Sequence, residues 1–288
     1  MKKVLITGSN GFIGRNLQEH LGTKYNIFPV SRREADLLDQ KQVEQLFRQE
    51  NIDVVIHSAN QGKLGRGRNV DMELKNNLKM FLNMEHCQAY YGKMLLFGSG
   101  AEYDKRRDLS LVDEEDFGIS IPADGYGLSK YLMSKIITKS DNIYNLRLFG
   151  IFGPYENYNY RFISNMICKV LSGVDIVIHQ NSLFDYLYIK DFCRIIPWFI
   201  EHTPKDKCYN VCTGNRQELV SIAKEILKQA NSARGIQVEQ DGLNKEYTGS
   251  NRRLLKELGT FTFTPMEQAI EEMIDYYKHT PFRLEGDY

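Results

Sequence analysis

Lys3-Val4-Leu5-Ile6-Thr7-Gly8-Ser9-Asn10-Gly11-Phe12-Ile13-Gly14 is the stretch whose reading decides the fold. Val4 to Ile6 is a short apolar run of the kind that forms a buried parallel strand. Gly8, Gly11 and Gly14 follow at a constant spacing, and from Phe12 to Leu21 the pattern turns helical, with Ile13, Leu17 and Leu21 on one stripe. Strand, glycine turn and helix in this order open a dinucleotide-binding unit. Gly8 permits the tight turn, Gly11 lets the backbone approach a pyrophosphate, and Gly14 lets the helix pack close to the sheet. Asn10, Phe12 and Ile13 then flank a helix N-terminus whose free N–H groups and partial positive charge suit phosphate. The glycines alone also fit a tight turn with no ligand, so the rest of the chain has to supply the context.

Working outward, strands and helices alternate. Asn26 to Val30 reads as a second strand, Lys41 to Gln49 as a helix with Val43, Leu46 and Phe47 inward, and Asp53 to His57 as a third strand. Asp71 to Cys87 reads as a helix carrying Leu74, Leu78, Phe81 and Leu82. Met94 to Phe97 is a fourth strand, Asp124 to Lys139 a helix with Leu128, Leu132 and Ile136 at spacing four, and Asn145 to Phe149 a fifth strand. This alternation implies the α/β class: a doubly wound parallel sheet with helices on both faces. Ligands in such sheets bind beyond the carboxyl ends of the strands, so the residues just after each strand are the candidates.

The second strand ends in Ser31-Arg32-Arg33 where an NAD site usually carries an acidic residue for the ribose hydroxyls. Arg32 suits a ribose 2′-phosphate, which favours NADP over NAD. Asp36 and Leu37 follow, near the expected adenine position. After the third strand, Ser58 and Ala59 are small enough for a cofactor to approach the backbone. His57 reads as a locally hydrogen-bonded strand-end residue. Lys63, Arg66 and Arg68 either face an anionic substrate or are simply solvated. After the fourth strand, Ser99 either donates to a substrate carbonyl or serves turn chemistry.

Tyr126 and Lys130 share a helix face at the start of the helix between the fourth and fifth strands. A nearby ammonium favours the phenolate, and a tyrosine tuned in this way serves as a general acid or base. Tyr131/Lys135 and Tyr186/Lys190 match the same spacing; only Tyr126/Lys130 stands at the ligand edge.

Taken together, Gly8-x-x-Gly11-x-x-Gly14, Ser99 and Tyr126-x-x-x-Lys130 resemble the extended short-chain dehydrogenase/reductase family, which acts mainly on nucleotide-activated sugars. Asp36-Leu37, Asn77, Leu146 to Phe149, Gly153-Pro154 and Phe184 to Asp191 fit the same pattern, so the likeness covers nearly the whole chain. Ser31 to Asp39 looks most like the GDP-fucose synthases, NADP enzymes in which the residue at Arg32 would meet the 2′-phosphate. The resemblance implies a Rossmann-type fold, Tyr126 as acid/base, Lys130 on the nicotinamide ribose, and Ser99 and Gly100 at the sugar. It implies a homodimer through the helices at 71–87 and 124–139.

The departures narrow the reaction. Ala101 stands where the GDP-fucose synthases carry a proton-shuttling Cys and where sugar-nucleotide dehydratases carry Glu; Glu102 is one residue too late and should point elsewhere. Epimerisation beside the carbonyl and elimination are both disfavoured. An NADPH-dependent 4-keto reductase is the leading expectation. An NAD-dependent 4-epimerase and a non-catalytic dinucleotide-binding protein of the same fold are the alternatives. Phe184 replaces a phosphate-gripping Arg, Gly150 replaces an Asn, and no second phosphate Arg stands near Glu246. Arg161, Lys245, Arg252 and Arg253 are the candidate replacements, with Arg161 in the substrate site.

From Phe152 the pattern changes. Tyr155 to Arg161 is a polar aromatic loop, and Phe162 to Leu171, Gln217 to Ala230 and Met266 to Tyr277 read as helices. Residues 1–151, rejoined by about 182–212, are expected to form the dinucleotide-binding domain, and 152–181 with 213–288 the substrate lobe. The 288 residues carry 37 basic and 37 acidic side chains, which gives no bulk attraction to nucleic acid or an anionic membrane. Apolar runs are too short to span a bilayer, and glycines interrupt the only signal-like stretch. Five scattered cysteines read as reduced thiols of a cytoplasmic protein, with no metal site.

Overall fold

In a computed structural model, which describes residues 1–61 and 70–284, a six-stranded sheet forms the centre. Lys63, Arg66 and Arg68 lie outside the described residues. The strands are β1 (Lys3–Thr7), β2 (Asn26–Val30), β3 (Ile52–His57), β4 (Tyr91–Ser99), β5 (Ile143–Leu148) and β6 (Cys208–Val211). All pair in parallel, in the order β6-β5-β4-β3-β1-β2. The helices are α1 (Phe12–Leu21), α2 (Gln40–Gln49), α3 (Val70–His86), α4 (Gly125–Ile137), α5 (Phe162–Leu171), α6 (Ile189–Glu201), α7 (Leu219–Gln229), α8 (Arg252–Leu258) and α9 (Met266–His279).

The apolar strands bury both faces, and their two-residue period divides the core. Val4, Ile6, Val54, Ile56, Leu95 and Phe97 join one cluster, with Leu17 of α1 and Phe192 of α6. Their neighbours Leu5, Val55, Met94 and Leu96 join the other, with Phe47 of α2, Phe81 of α3 and Met133 of α4. Each fully buried side chain of this size contributes roughly 1.5–3 kcal/mol. Pro29 lies in β2, the edge strand, where a missing N–H costs no ladder bond on the outer side.

Chain order places the ligand edge. The register pairs Thr7 with both Val30 and His57, and Ser99 with Leu148, so the carboxyl ends line one side. The strand order reverses at β1, whose neighbours β2 and β3 diverge into a crevice, the usual ligand position in open α/β sheets.

The inward faces of α3 and α4 differ from expectation. Glu73, Asn77, Phe81 and Met84 are buried on α3, whereas Leu82 is 40% exposed. Asn77 faces inward because its side chain satisfies the backbone of Gln61, accepting its N–H at 2.6 Å and donating to its carbonyl at 3.0 Å. On α4, Lys130, Ser134 and Ile137 are buried, while Leu128, Leu132 and Ile136 are only half-buried.

The second half builds short sheets, of which the sequence pattern predicts the strands at 175–178 and 184–188 and misses the others. Tyr247–Gly249 pairs with Leu109–Val112 and with Leu183–Phe184, and Gln217–Glu218 extends the same sheet. Ile176–Asn181 pairs in parallel with Ile236–Leu243. Gln217–Glu218 is too short and Ile236–Leu243 too exposed to carry the apolar alternation that marks a strand. All five cysteines are buried and unpaired. Among the described residues, no helix is long and apolar enough to cross a membrane.

Candidate active site

The glycine turn sits in the crevice between β1 and β3. Gly8 has φ +64°, and a Cβ there would stand 2.8 Å from Ala59 Cα. Left-handed backbone and close approach both demand glycine. At Gly14 a Cβ would stand 2.4 Å from the Gly8 carbonyl oxygen, so the helix lies directly on the turn. Gly11 donates its N–H to that same oxygen at 2.9 Å and caps α1 without a side-chain hydrogen bond. The first N–H groups of α1 are therefore free for an anion. Phe12 and Ile13 pack half-buried against the core, Asn10 is exposed, and Ser58 and Ala59 line the β3 side. This glycine cradle and uncapped helix end fit a dinucleotide.

Thr7 ties the two strand ends together. Its hydroxyl accepts the Ala59 N–H at 3.1 Å and lies 2.9 Å from His57 Nδ1. Burial, aided by the charge of Lys130, pushes the His57 pKa down to about 3. His57 is thus a neutral structural residue.

At the end of β2, Arg32 is exposed and takes no ion-pair partner among the described residues. Glu34 turns back so that its carboxylate accepts the Ser31 N–H at 2.7 Å. The Asp36 carboxylate is engaged by the Leu38 N–H at 3.0 Å, and the buried Leu37 receives the Asn83 side-chain amide on its carbonyl at 2.8 Å.

Ser99 ends β4, and Tyr126 comes beside it because α4 starts close to the following turn. Asp124 caps α4 by accepting the Gly127 N–H at 2.9 Å. A Cβ at Gly127 would stand 2.9 Å from the Ala101 carbonyl oxygen. The Ser99 hydroxyl accepts the Ala101 N–H at 3.1 Å. Lys130 Nζ is buried, donates to the Phe97 carbonyl at 2.7 Å, and lies 5.9 Å from the Tyr126 ring centre.

The electrostatics differ from the expectation of a tyrosine acidified by its lysine. Burial is the largest influence on Tyr126 and raises its pKa; the Ser99 hydrogen bond and the Arg161 charge pull it back. Lys130 itself is lowered to about 8 by burial, with the Glu102 carboxylate opposing that shift. The ammonium sits over the ring and bonds a backbone oxygen, so its pull on the phenolate is weak.

Glu102 points away from the cleft into a buried network. Its carboxylate receives Arg147 Nε at 2.7 Å, Asn145 Nδ2 at 3.0 Å and the Ser99 N–H at 3.0 Å. Gly98 makes room, since a Cβ there would overlap Asn145 and Glu102.

Near Ser99, four aromatic side chains form a continuous wall. Phe184 stacks on Tyr186 at 5.6 Å and meets Tyr247 at 5.6 Å, and Tyr247 meets Phe149 at 5.2 Å. Gly150 is required because a Cβ would stand 2.6 Å from the Asp185 carbonyl oxygen and 2.8 Å from the Tyr186 ring. Glu246 is buried and held by Arg216 through two contacts of 2.8 and 2.6 Å. Lys245 bonds the Arg106 carbonyl, while Arg252 and Arg253 pair with Asp113 and Glu115. Of the four candidate cations, the exposed Arg161 is the one whose charge acts on Tyr126, Tyr186 and Tyr247. Tyr247 was missed in the sequence; nothing local marks it, because it meets Phe149 and Phe184 from a strand far along the chain.

Residues 4–212 match the sequence model of the NAD dependent epimerase/dehydratase family. The chain is 26% identical over 250 residues to a GDP-6-deoxy-D-mannose reductase of Pseudomonas aeruginosa, covering 78% of this chain and 80% of that protein. The fold is similar to that of a GDP-L-fucose synthetase from Naegleria fowleri bound to NADP, with TM-score 0.85, 19% identity, and 96% and 92% of the two chains covered. It is also similar to a Thermus thermophilus UDP-glucose 4-epimerase in complex with NAD, with TM-score 0.81, 20% identity, and 97% and 100% covered.

Proposed function

The chain belongs to the NAD dependent epimerase/dehydratase family, and from that premise we propose that it is an NADPH-dependent reductase of a 4-keto nucleotide sugar. The observation that carries this reading is the meeting of Ser99, Tyr126 and Lys130 at the carboxyl edge of the sheet, beside an uncapped glycine turn. Gly8, Asn10, Gly11, Phe12, Ile13, Gly14, Ser58 and Ala59 would hold the dinucleotide, with Asp36 and Leu37 toward the adenine and Arg32 on a 2′-phosphate. When bound, the nicotinamide supplies the hydride.

Tyr126 gives its phenolic proton to the carbonyl oxygen as the alkoxide develops, and Ser99 donates a second hydrogen bond to that oxygen. The raised pKa of Tyr126 keeps it protonated before the step, as a proton donor requires. Lys130, fixed by the Phe97 carbonyl, would hold the nicotinamide ribose. The Ala101 methyl has no titratable proton, and Glu102 is occupied by Arg147, which speaks against epimerisation beside the carbonyl and against elimination. Arg161 would face the substrate anion, and Gly100, next to Ser99 at the sugar end, admits the Phe149 ring and the Tyr247 hydroxyl, which a Cβ there would meet at 2.7 Å.

A second reading, an NAD-dependent 4-epimerase, draws on Glu34, which returns a carboxylate to the end of β2 where a ribose hydroxyl would need one. We read residues 1–151, rejoined by 182–212, as the cofactor domain, and 152–181 with 213–288 as the substrate lobe. The exposed Met72 and Leu82 on α3 support a homodimer through α3 and α4, and the five free cysteines support a cytoplasmic setting.

The test is turnover of GDP-, UDP- and dTDP-linked 4-keto sugars with NADPH or NADH. One nucleotide should be reduced with NADPH, and Tyr126→Phe should lower kcat by about 100-fold or more. Undiminished turnover in that variant would sink the assignment; interconversion of C4 epimers with NAD would select the second reading.

A further inference from the structure

We propose that Asp104 is a positioning residue for Tyr126: with Arg106 and Ser120 it clasps the turn that follows Ser99 to the segment that leads into α4, and so sets where Tyr126 stands relative to Ser99. The proposal rests on the reading of Tyr126 as proton donor, and it names what holds that donor in place rather than which sugar is reduced.

Asp104 closes the turn after β4. Its N–H donates to the Ala101 carbonyl at 3.2 Å, and its φ is +69°, in the left-handed region that side chains seldom adopt and aspartate tolerates. Strain of this kind persists where the surroundings over-determine the conformation. Here the buried side chain does so. Arg106 Nε donates to Oδ1 at 2.9 Å and Arg106 Nη2 to Oδ2 at 2.7 Å, a bidentate pair. The Ser120 hydroxyl donates to Oδ2 at 2.5 Å, and the Arg106 backbone N–H to Oδ1 at 3.1 Å. Arg106 Nη2 also donates to the Ile121 carbonyl at 2.9 Å. One carboxylate thus ties the turn after Ser99 to Ser120 and Ile121. The Arg106 hydrogen bonds hold the Asp104 carboxyl well below the usual carboxylate range, so the clasp stays charged at neutral pH.

From Ser120 the chain runs directly into the helix that carries Tyr126. Ile119 is 62% and Ile121 57% exposed, so apolar packing does little to hold this segment. Pro122 is buried and lies against the first turn of α4: a Cβ at Gly127 would stand 2.9 Å from Pro122 Cβ and 2.9 Å from the Ala101 carbonyl oxygen. That first turn therefore rests on Pro122 and on the turn after Ser99, the two pieces that the clasp joins. Further along, the sheet holds α4. Lys130 bonds the Phe97 carbonyl, and the Ser134 hydroxyl accepts from Asn145 and Arg147. Tyr126 precedes those anchors. Arg106 is 63% exposed at its side chain, and such a pair by itself stabilises little. Its role comes from the two segments it bridges.

The experiment compares Asp104→Gly, Arg106→Ala and Ser120→Ala with the wild type, each as the full chain. Asp104→Gly adopts the left-handed turn without strain and lacks the carboxylate, so it separates the clasp from the turn. Arg194→Ala is the control, since it removes a half-exposed arginine from the buried Asp191, a pair of the same kind on α6. The first readout needs no ligand: the Tyr126 resonance in protein labelled at tyrosine 13Cζ, assigned with Tyr126→Phe. It should be displaced in the three clasp variants and stay in place in Arg194→Ala. The second readout is turnover. In the clasp variants kcat should fall about 10-fold or more, because a reacting group misplaced by ~1 Å costs up to about 100-fold. NADPH affinity, measured by calorimetry, should not change. Arg106→Lys keeps the charge and lacks the fork, so it should restore only part of kcat. If Asp104→Gly does not fold, the surface variant Arg106→Ala decides. A Tyr126 resonance unmoved in the clasp variants, or a loss of kcat matched by an equal loss of NADPH affinity, overturns the proposal. A wild type that reduces no 4-keto sugar would refute the reductase reading alone, and the ligand-free resonance would still decide the clasp.

Discussion

Arg147 Nε donates to the Glu102 carboxylate across 2.7 Å, with 1% and 0% of the two side chains exposed. The remaining guanidinium nitrogens reach Tyr103 Oη and Ser134 Oγ, each at 2.8 Å. A buried pair is tolerable when each guanidinium nitrogen finds a partner in this way, because desolvation costs several kcal/mol per ion. The same carboxylate accepts the Ser99 N–H, so the pair under the sheet is coupled to the residue at its ligand edge.

Glu102→Gln keeps the shape and leaves the Arg147 charge without a counterion. It should destabilise the protein by about 3–5 kcal/mol, measured by urea unfolding. Replacing both residues with Met should recover part of that loss. A Glu102→Gln protein within about 1 kcal/mol of wild type would mean the network is not held by charge.

Gly14→Ala should destabilise by about 1–3 kcal/mol and weaken dinucleotide binding, because its Cβ would meet the Gly8 carbonyl at 2.4 Å and lift α1 off the turn. Gly235→Ala is the control, since nothing lies within 4 Å of a Cβ there. It should change stability by no more than about 0.5 kcal/mol. Thermal melts and cofactor titrations check both; equal behaviour of the two variants would contradict the packing argument.

Arg32→Ala should weaken NADPH binding about 10- to 100-fold, the effect of losing one charge-assisted contact of roughly 1.5–3 kcal/mol, and leave NADH nearly unchanged. Isothermal calorimetry with each cofactor decides it. An equal loss for both would remove the 2′-phosphate role and favour the Glu34 reading.

Glu156 gives a pH prediction of defined sign. It is buried, its Oε1 accepts the Ser164 hydroxyl at 2.6 Å, its Oε2 has no partner among the described residues, and burial lifts its pKa to about 8. The folded state therefore holds this proton more tightly than the unfolded chain, whose glutamate titrates near ~4.3. Stability from this group is full below the unfolded pKa and is lost as pH rises toward about 8. Glu156→Gln mimics the neutral form, so its stability relative to wild type should rise between pH 5 and pH 9. A difference between the two proteins that stays constant across that range in chemical denaturation would refute it.

How much of this was legible in the chain depends on the range of each signal. The glycine turn was, because its three glycines answer to contacts within a dozen residues plus one neighbouring strand, and α1 runs over Phe12–Leu21 as its spacing predicts. The inward faces of α3 and α4 were not. Apolar spacing pointed to Leu82 and Leu128, but hydrogen bonding turned Asn77 inward and a backbone carbonyl turned Lys130 inward. A buried polar group is admitted by its partner, and the partner lies elsewhere in the sequence.

The sequence by itself determined the alternating strands and helices, the turn that opens them, and the residue types at the strand ends, since these follow from local period, glycine sterics and short-range spacing. Only the tertiary structure decided that Glu102 is committed to Arg147, that Phe184 packs against Tyr247 in an aromatic wall, and that Tyr247 stands at Ser99 across 148 residues of chain. Those are contacts between elements whose approach is set by the sheet order and core packing, and no local pattern encodes a distance of that kind.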